Sequence, residues 1–260
     1  MPQRLVRLIT ENQPCVVMTG AGVATESGIP DFRSPTGIWA KIDPMEYATL
    51  SAFRKNPEKV WWFYRKRMEM LVDAKPNATH WCLREMEELG LLQAIVTQNI
   101  DMLHHKAGSK EVIEVHGSIR TSSCQECGGS HSLARVLKLL GAGVRLPLCD
   151  FCGGILKPDV VFFEEALPLN SMNQACAQVR ESGLLIVVGS TLAVYPVAGL
   201  PELAATSGAQ VAIVNLGPTS FDRQATLKID RAAGETFQVV LDLLRRSIQP
   251  GGLGAGSLEE

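Results

Sequence analysis

The chain has 260 residues, enough for one large domain or a large domain with a smaller insert, and its 46% apolar and 20% charged residues are ordinary for a soluble globular protein. A net charge of −2 and a pI near 6.2 exclude a global basic field for nucleic acid or anionic membrane, so its Lys and Arg side chains are expected mostly at solvated surface. Apolar runs such as LLIVV at 184–188 are too short to span a bilayer, and the seven cysteines, an odd number without a signal-peptide pattern, point to a reducing cytoplasm and a metal site rather than disulfides.

The N-terminal stretch shows only a weak helical spacing, at Leu5, Leu8 and Ile9. PCVVMTG (14–20), LQAIVTQN (92–99), LLIVVGS (184–190) and QVAIVN (210–215) then read as strands buried on both faces, as in a parallel sheet. Helices are expected at about 57–73, 78–89, 170–181, 198–206 and 235–248, and this alternation predicts a doubly wound α/β fold with a ligand crevice at the carboxyl ends of the strands. The first three strands end in small or polar residues there: Thr19-Gly20, Gln98-Asn99 and Gly189-Ser190. The Gly-rich end, 250–260, is expected to be disordered.

Residues 120–157 break the alternation. CQEC (124–127) and CDFC (149–152) are two C-x-x-C knuckles separated by 21 residues, a spacing at which Cys124, Cys127, Cys149 and Cys152 close a tetrahedral zinc site. Four thiolates leave no open coordination position, so the ion is expected to be structural. Cys15, Cys82 and Cys176 fall in strand or helix patterns and read as core thiols.

GAGVATESGIPDFRS (20–34) follows the first strand. It lacks the full dinucleotide fingerprint, because Thr25 stands where a third Gly is expected, yet Gly20 and Gly22 permit close approach of a phosphate to the backbone. Asp31, Phe32 and Arg33 then place a carboxylate, a ring and a guanidinium on a loop. TQNIDMLHHKAG (97–108) sets Gln98, Asn99 and Asp101 at a strand end, and VIEVHGS (112–118) delivers His116 just after a short strand, at the junction with the cysteine module.

Taken in order, GAGVATESGIPDFRS, TQNIDMLH, EVHG, the paired knuckles, KPDVVFF (157–163) and VNLGPT (214–219) resemble the sirtuins, NAD-dependent protein deacylases, over roughly residues 5–240. The resemblance implies a Rossmann-like NAD-binding body from 1–42, 90–119 and 158–249, a helical insert at 43–89 contributing to the acyl pocket, and a zinc module at 120–157. It places the NAD phosphates near Gly20, Ala21, Gly22, Gly189, Ser190 and Thr191, and a mobile loop carrying Asp31, Phe32 and Arg33 over the reacting ribose. Asn99 and Asp101 are implied to orient that ribose and recognise the nicotinamide amide, with Gln98 and Ile100 also contacting the cofactor and Asn215, Leu216 and Gly217 lying toward the adenosine end. His116 is implied as general base on the ribose hydroxyls, with Asn99 beside it, and free lysine, nicotinamide and O-acyl-ADP-ribose as products. The substrate, an acylated lysine of a protein, is expected to add as a strand between Val160, Val161, Phe162 and the stretch 192–195. A monomer with no nucleic-acid or membrane partner is expected.

Three positions depart from the family pattern: Ala24 for a common Ser, Gly-Ser-Thr at 189–191 for Gly-Thr-Ser, and Glu164 for a common Gly beside the peptide cleft. A nucleic-acid-binding zinc ribbon is disfavoured, because 120–157 has few basic residues and almost no aromatics to stack on bases. Transfer of ADP-ribose to a protein is the alternative use of the same NAD site.

WWFYRKRMEM (61–70) follows Pro57 on the expected helix, with Trp61, Tyr64, Met68 and Leu71 at helical spacing, so Trp61, Trp62 and Phe63 read as core. Tyr64 and Arg67, at i and i+3, project side by side as a fork for a carboxylate. Tyr-x-x-Arg after Phe63, with the small Ala48, resembles the sirtuins that remove succinyl, malonyl or glutaryl groups.

Overall fold

CVVMT carries no polar residue before its last position, and it forms a strand, β1 (Cys15–Thr19), that is buried along its whole length. The computed structural model describes residues 1–248, so the stretch expected to be disordered, 250–260, lies outside the described residues. The further strands are β2 (Ala94–Thr97), β3 (Val112–Glu114), β4 (Gly117–Cys124), β5 (Ser130–Ser132), β6 (Leu156–Val160), β7 (Leu184–Val188), β8 (Gln210–Val214) and β9 (Leu227–Ile229). The helices are α1 (Pro2–Glu11), α2 (Pro44–Tyr47), α3 (Leu50–Lys55), α4 (Pro57–Asp73), α5 (Ala78–Glu88), α6 (Leu103–Ala107), α7 (Leu133–Gly141), α8 (Leu169–Glu181), α9 (Leu200–Thr206) and α10 (Ala233–Ile248).

Six strands form one parallel sheet in the order β3-β2-β1-β7-β8-β9. Sequence order runs outward from β1 in one direction and from β7 in the other, so the topological switch lies between these two, and a crevice opens beyond their carboxyl ends. One face of the sheet is covered by α1, α5 and α10, with Leu5, Leu83 and Phe237 in a core with Val17 and Ile186. The other is covered by α8 and α9, with Val179 and Leu200 in a core with Val16 and Leu185. The sheet is thus buried on both sides, which is why its strands are continuous apolar runs.

A third core holds the rest. β4, β5 and β6 make a small antiparallel sheet, and α7 and the four cysteines complete the module. α4 starts at Pro57, with the Asn56 side chain accepting from the Lys59 N–H, and lays Trp61 and Met68 in one core with Val136, Leu140 and Leu156 of the module. The Trp61 indole donates to the Leu156 carbonyl at 2.7 Å. Burial of Trp61 and Phe63 matches the sequence reading, but Trp62 does not: it is 51% exposed. Position 62 falls off the helical stripe of 61, 64, 68 and 71, and its ring lies under the Lys66 ammonium, 4.5 Å away.

The switch point is held backbone to backbone. Gly20 N–H donates to Val188 O at 3.0 Å and Gly22 N–H to Gly189 O at 2.9 Å. Gly189 has φ +61°, and a Cβ there would sit 2.4 Å from the Val23 nitrogen, so both conformation and space require glycine. Gly189→Ala is expected to cost at least about 2 kcal/mol, from left-handed strain together with displacement of the loop after β1, and urea denaturation of wild type and variant measures it.

Candidate active site

The crevice opens into a cavity of about 730 Å³. From the strand ends it is lined by Gly20, Ala21, Gly22, Gln98, Asn99, Ile100, Asp101, Gly189, Ser190 and Thr191, from the loop after β1 by Asp31, Phe32 and Arg33, and from the rest of the chain by His116, Tyr64, Arg67, Val160, Val161, Phe162, Asn215 and Leu216. Residues far apart in sequence therefore converge on one space. Gly217 is not part of this lining: its φ is +76°, and its N–H and carbonyl are engaged by Asp230 and Lys228, so it serves the turn after β8.

At the strand ends the polar side chains bond to neighbouring backbone and to each other. Gln98 donates to Ser190 Oγ at 3.0 Å, reaching across the end of β1. Asn99 is buried and donates through Nδ2 to Gly20 O at 3.1 Å. Asp101 is 4% exposed and accepts the Leu103 N–H at 2.8 Å. Burial pushes its carboxyl up to about 6, against the opposing pull of that hydrogen bond and of Lys106 and Arg67. Asn215 Nδ2 folds onto the Leu216 and Gly217 carbonyls at 2.9 and 3.3 Å.

His116 ends the turn between β3 and β4. Its Nδ1 lies 3.1 Å from the Gln98 carbonyl, and a carbonyl only accepts, so Nδ1 carries the proton and Nε2 keeps its lone pair. Burial lowers its pKa, and the charge of Arg33 pushes in the same direction, so the ring is neutral near pH 7. Gly117 next to it has φ +73°, and a Cβ there would meet the Asp159 carbonyl at 2.1 Å, which fixes where the His116 backbone turns.

The other wall belongs to α4. Tyr64 stacks on Phe162 with centroids 5.2 Å apart, and burial raises its pKa, so the phenol stays protonated. Arg67 is 8% exposed and makes no hydrogen bond or ion pair among the described residues. Its guanidinium lies 5.0 Å from the Phe32 ring centroid and 5.6 Å from that of Phe63. Phe32 in turn contacts Trp39 at 5.3 Å, so the loop over the strand ends rests on the same aromatic and cationic group as the α4 wall.

Segment 160–163 runs beside this wall. Val161 N–H donates to His116 O at 3.0 Å and Phe163 N–H to Ala48 O at 2.8 Å. Phe162 N–H is taken by the Glu165 carboxylate at 2.7 Å, and the buried Lys157 ammonium bonds both Glu165 and the Val160 carbonyl at 2.9 Å. Glu164, the departure noted at the cleft, holds φ +74° and turns its carboxylate onto Ser51 N–H and Ser51 Oγ, at 2.9 and 3.0 Å. It secures the first turn of α3.

In the module the four Sγ atoms lie within 4.8 Å of one another, with Cys124–Cys152 at 3.5 Å and Cys127–Cys149 at 3.7 Å. Those separations suit a tetrahedron with sulfur about 2.3 Å from zinc. Backbone N–H groups of Glu126, Phe151 and Gly154 point at the sulfurs, as thiolate ligands require. Donor set and geometry both fit zinc with no open position.

Sequence reasoning missed Asn77, whose amide donates to Val23 O at 2.7 Å and Ser27 Oγ at 3.0 Å and so holds the glycine loop from outside the cavity. It read Glu164 only as a change at the cleft, with no partner. An Asn just before a helix carries only a local capping signal, whereas the contact of Asn77 with the glycine loop is 54 residues away.

The family model described as the Sir2 family matches residues 20–196. The chain is 43% identical to the NAD-dependent protein deacetylase 1 of Pyrobaculum aerophilum over 238 residues, 92% of each chain. It is 38% identical to the NAD-dependent protein deacylase 1 of Archaeoglobus fulgidus over 248 residues, 95% of this chain and 100% of that one. Among solved structures, one described as Sir2 with p53 peptide and NAD⁺ superimposes with a TM-score of 0.87 at 38% identity, covering 94% of this chain and 98% of that one. Another, Sir2Tm bound to a propionylated peptide, gives 0.85 at 38% identity, covering 93% and 97%.

Asp101 binds its proton more firmly in the fold than in the unfolded chain, so it favours the folded state at low pH and opposes it as pH rises from about 4 to about 6. Asp101→Asn keeps an acceptor for Leu103 N–H and removes the buried charge. The variant is expected to exceed wild type by up to about 3 kcal/mol at pH 8, with the gain gone at pH 4, in urea denaturation at the two pH values.

Proposed function

The chain belongs to the Sir2 family, and on that premise we propose that the cavity at the strand ends performs NAD-dependent removal of acyl groups from protein lysines, with succinyl and malonyl groups among those accepted. It is an NAD-dependent protein deacylase with a structural zinc site of four cysteines. Its substrates are acylated lysines presented in peptide segments.

NAD, when bound, supplies the ribose carbon that accepts the acyl oxygen as nicotinamide leaves. The residues' roles follow from what they present to that site. His116, neutral and with Nε2 unprotonated, takes a proton from a ribose hydroxyl; its Nδ1–H, fixed by the Gln98 carbonyl, keeps the ring in the tautomer this needs. Asn99 and Asp101 offer an amide and a carboxylate at the end of β2, where ribose and nicotinamide amide are recognised. Gly20, Ala21, Gly22, Ser190 and Thr191 receive the phosphates, Asn215 and Leu216 the adenosine end, while Asp31, Phe32 and Arg33 cover the reacting ribose and exclude water. The same reading assigns NAD to the body formed by 1–42, 90–119 and 158–249, and the acyl chain to the insert at 43–89.

The acyl preference rests on Arg67. A guanidinium does not lose its proton at neutral pH, and a buried one without a counter-ion is costly. Here it faces the cavity beside a protonated phenol and on two aromatic faces. A dicarboxylic acyl chain on lysine delivers a carboxylate that accepts from both Tyr64 and Arg67.

Two measurements test this. Arg67→Met is expected to lower kcat/KM for a succinyl-peptide by at least 100-fold, about 3 kcal/mol, and to change that for the acetyl-peptide far less; an unchanged ratio sinks the carboxylate reading. His116→Ala is expected to reduce deacylation at least 1000-fold while zinc content stays at one per chain, since the ring is removed from the proton transfer and not from the module.

A further inference from the structure

Two histidines outside the cavity lining, His80 on α5 and His104 on α6, are buried with ring centroids 4.8 Å apart. Each reaches one side of the crevice. His104 Nε2 lies 3.0 Å from Thr19 Oγ1, which is 2.9 Å from Thr97 Oγ1, which accepts the Asn99 N–H at 3.1 Å. His80 Nδ1 lies 2.9 Å from Asn77 Oδ1, and the Asn77 amide donates to Val23 O and Ser27 Oγ of the glycine loop. Among the described residues, His80 Nε2 and His104 Nδ1, one on each of the two adjacent rings, have no partner. The Asn77 amide oxygen only accepts, so His80 Nδ1 carries the proton; Thr19 Oγ1 donates to Thr97, so it accepts from His104 Nε2–H. The other nitrogen of each ring keeps a lone pair, and the two rings meet by packing rather than by a hydrogen bond. Burial keeps both rings neutral, lowering His80 to about 4 and His104 well below its ordinary value.

We infer that His80 and His104 are positioning residues of the nucleotide site, a buried imidazole pair that ties the glycine loop, through Asn77, to the strand end carrying Asn99, through Thr19 and Thr97. The inference rests on the reading that Asn99 and the glycine loop contact NAD. The loop and the strand end grip opposite parts of one ligand, and their separation is set by the packing of the two rings and the bonds on either side of them, as well as by the sheet. Tyr64, Arg67 and Phe162 lie outside these contacts, so the acyl-peptide side is independent of them.

The test uses the full zinc-loaded chain. NAD affinity is measured by isothermal titration calorimetry, and KM is measured separately for NAD and for an acetyl-peptide, in wild type, His104→Phe, His104→Gln, His80→Phe and the double Phe variant. His104→Phe is expected to weaken NAD at least fivefold and leave the peptide KM within twofold. His104→Gln, which returns a polar atom to the Nε2 position, is expected to restore most of the loss, and the double variant to lose no more than the larger single loss. NAD affinity within twofold of wild type in His104→Phe overturns the inference. So does a joint loss of NAD and peptide affinity that Gln does not relieve, which is a general packing defect. Should His104→Phe fail to fold, His80→Phe carries the same thresholds. A wild type that binds NAD without deacylating overturns the reaction assigned above and leaves the pair measurable by calorimetry, whereas a wild type without NAD affinity overturns both.

Discussion

The whole site hangs on one close contact: the backbone of Gly22 against that of Gly189, at the point where the strand order reverses. Two parallel strands ordinarily hold their following loops apart by the bulk of the residues that begin them. Here glycine on both sides lets the loop after β1 descend onto the end of β7, so that Ser190 comes within 3.0 Å of Gln98 across the intervening strand. The glycine loop, the Asn99 segment and the residues after β7 then face one space. The glycines were legible as permission for a phosphate to approach. Their first physical role is to let the protein's own backbone approach itself.

Around that space three ionisable groups sit in similar depth and meet different fates. Asp101 answers desolvation by holding its proton to higher pH, and His116 by refusing one. Arg67 also loses some affinity for its proton through burial, but a guanidinium begins so far above neutrality that its charge persists. Low polarity thus leaves one residue a neutral imidazole and another a cation with no counter-ion among the described residues, beside aromatic faces. Such an arrangement is a poor way to stabilise a fold and a good way to attract an anion.

What could be read in the sequence was whatever is local. Five residues without polar interruption announce a central parallel strand, and a cysteine pair two residues apart announces half of a metal site, because strand burial and knuckle geometry are short-range properties. β9 escaped notice: at three residues, LKI, it is too short to show a period. Trp62 was misplaced because aromatic composition was taken for burial where the helical phase already pointed outward. The contacts of Asn77 and Glu164 could not be read at all, since each depends on a partner 54 or 113 residues distant. Tyr64 and Arg67 were legible as neighbours on a helix, while their position in the cavity wall depends on how α4 docks.

That docking is fixed from two sides, and one of them explains a departure from the family pattern. Trp61 bonds α4 to the carbonyl of Leu156 in the cysteine module. Glu164, next to the segment that lines the cavity, bonds Ser51 in the helix that precedes α4. A glutamate in the left-handed region costs about 1–2 kcal/mol relative to glycine, and two hydrogen bonds to its charged carboxylate offset a cost of that size. The exchange replaces a freely turning residue by one that clamps the cavity edge to the insert. Arg67 gains no counter-ion from this, but the helix that carries it is tied to the segment of Phe162 and Val160, the constancy that the carboxylate site proposed above requires.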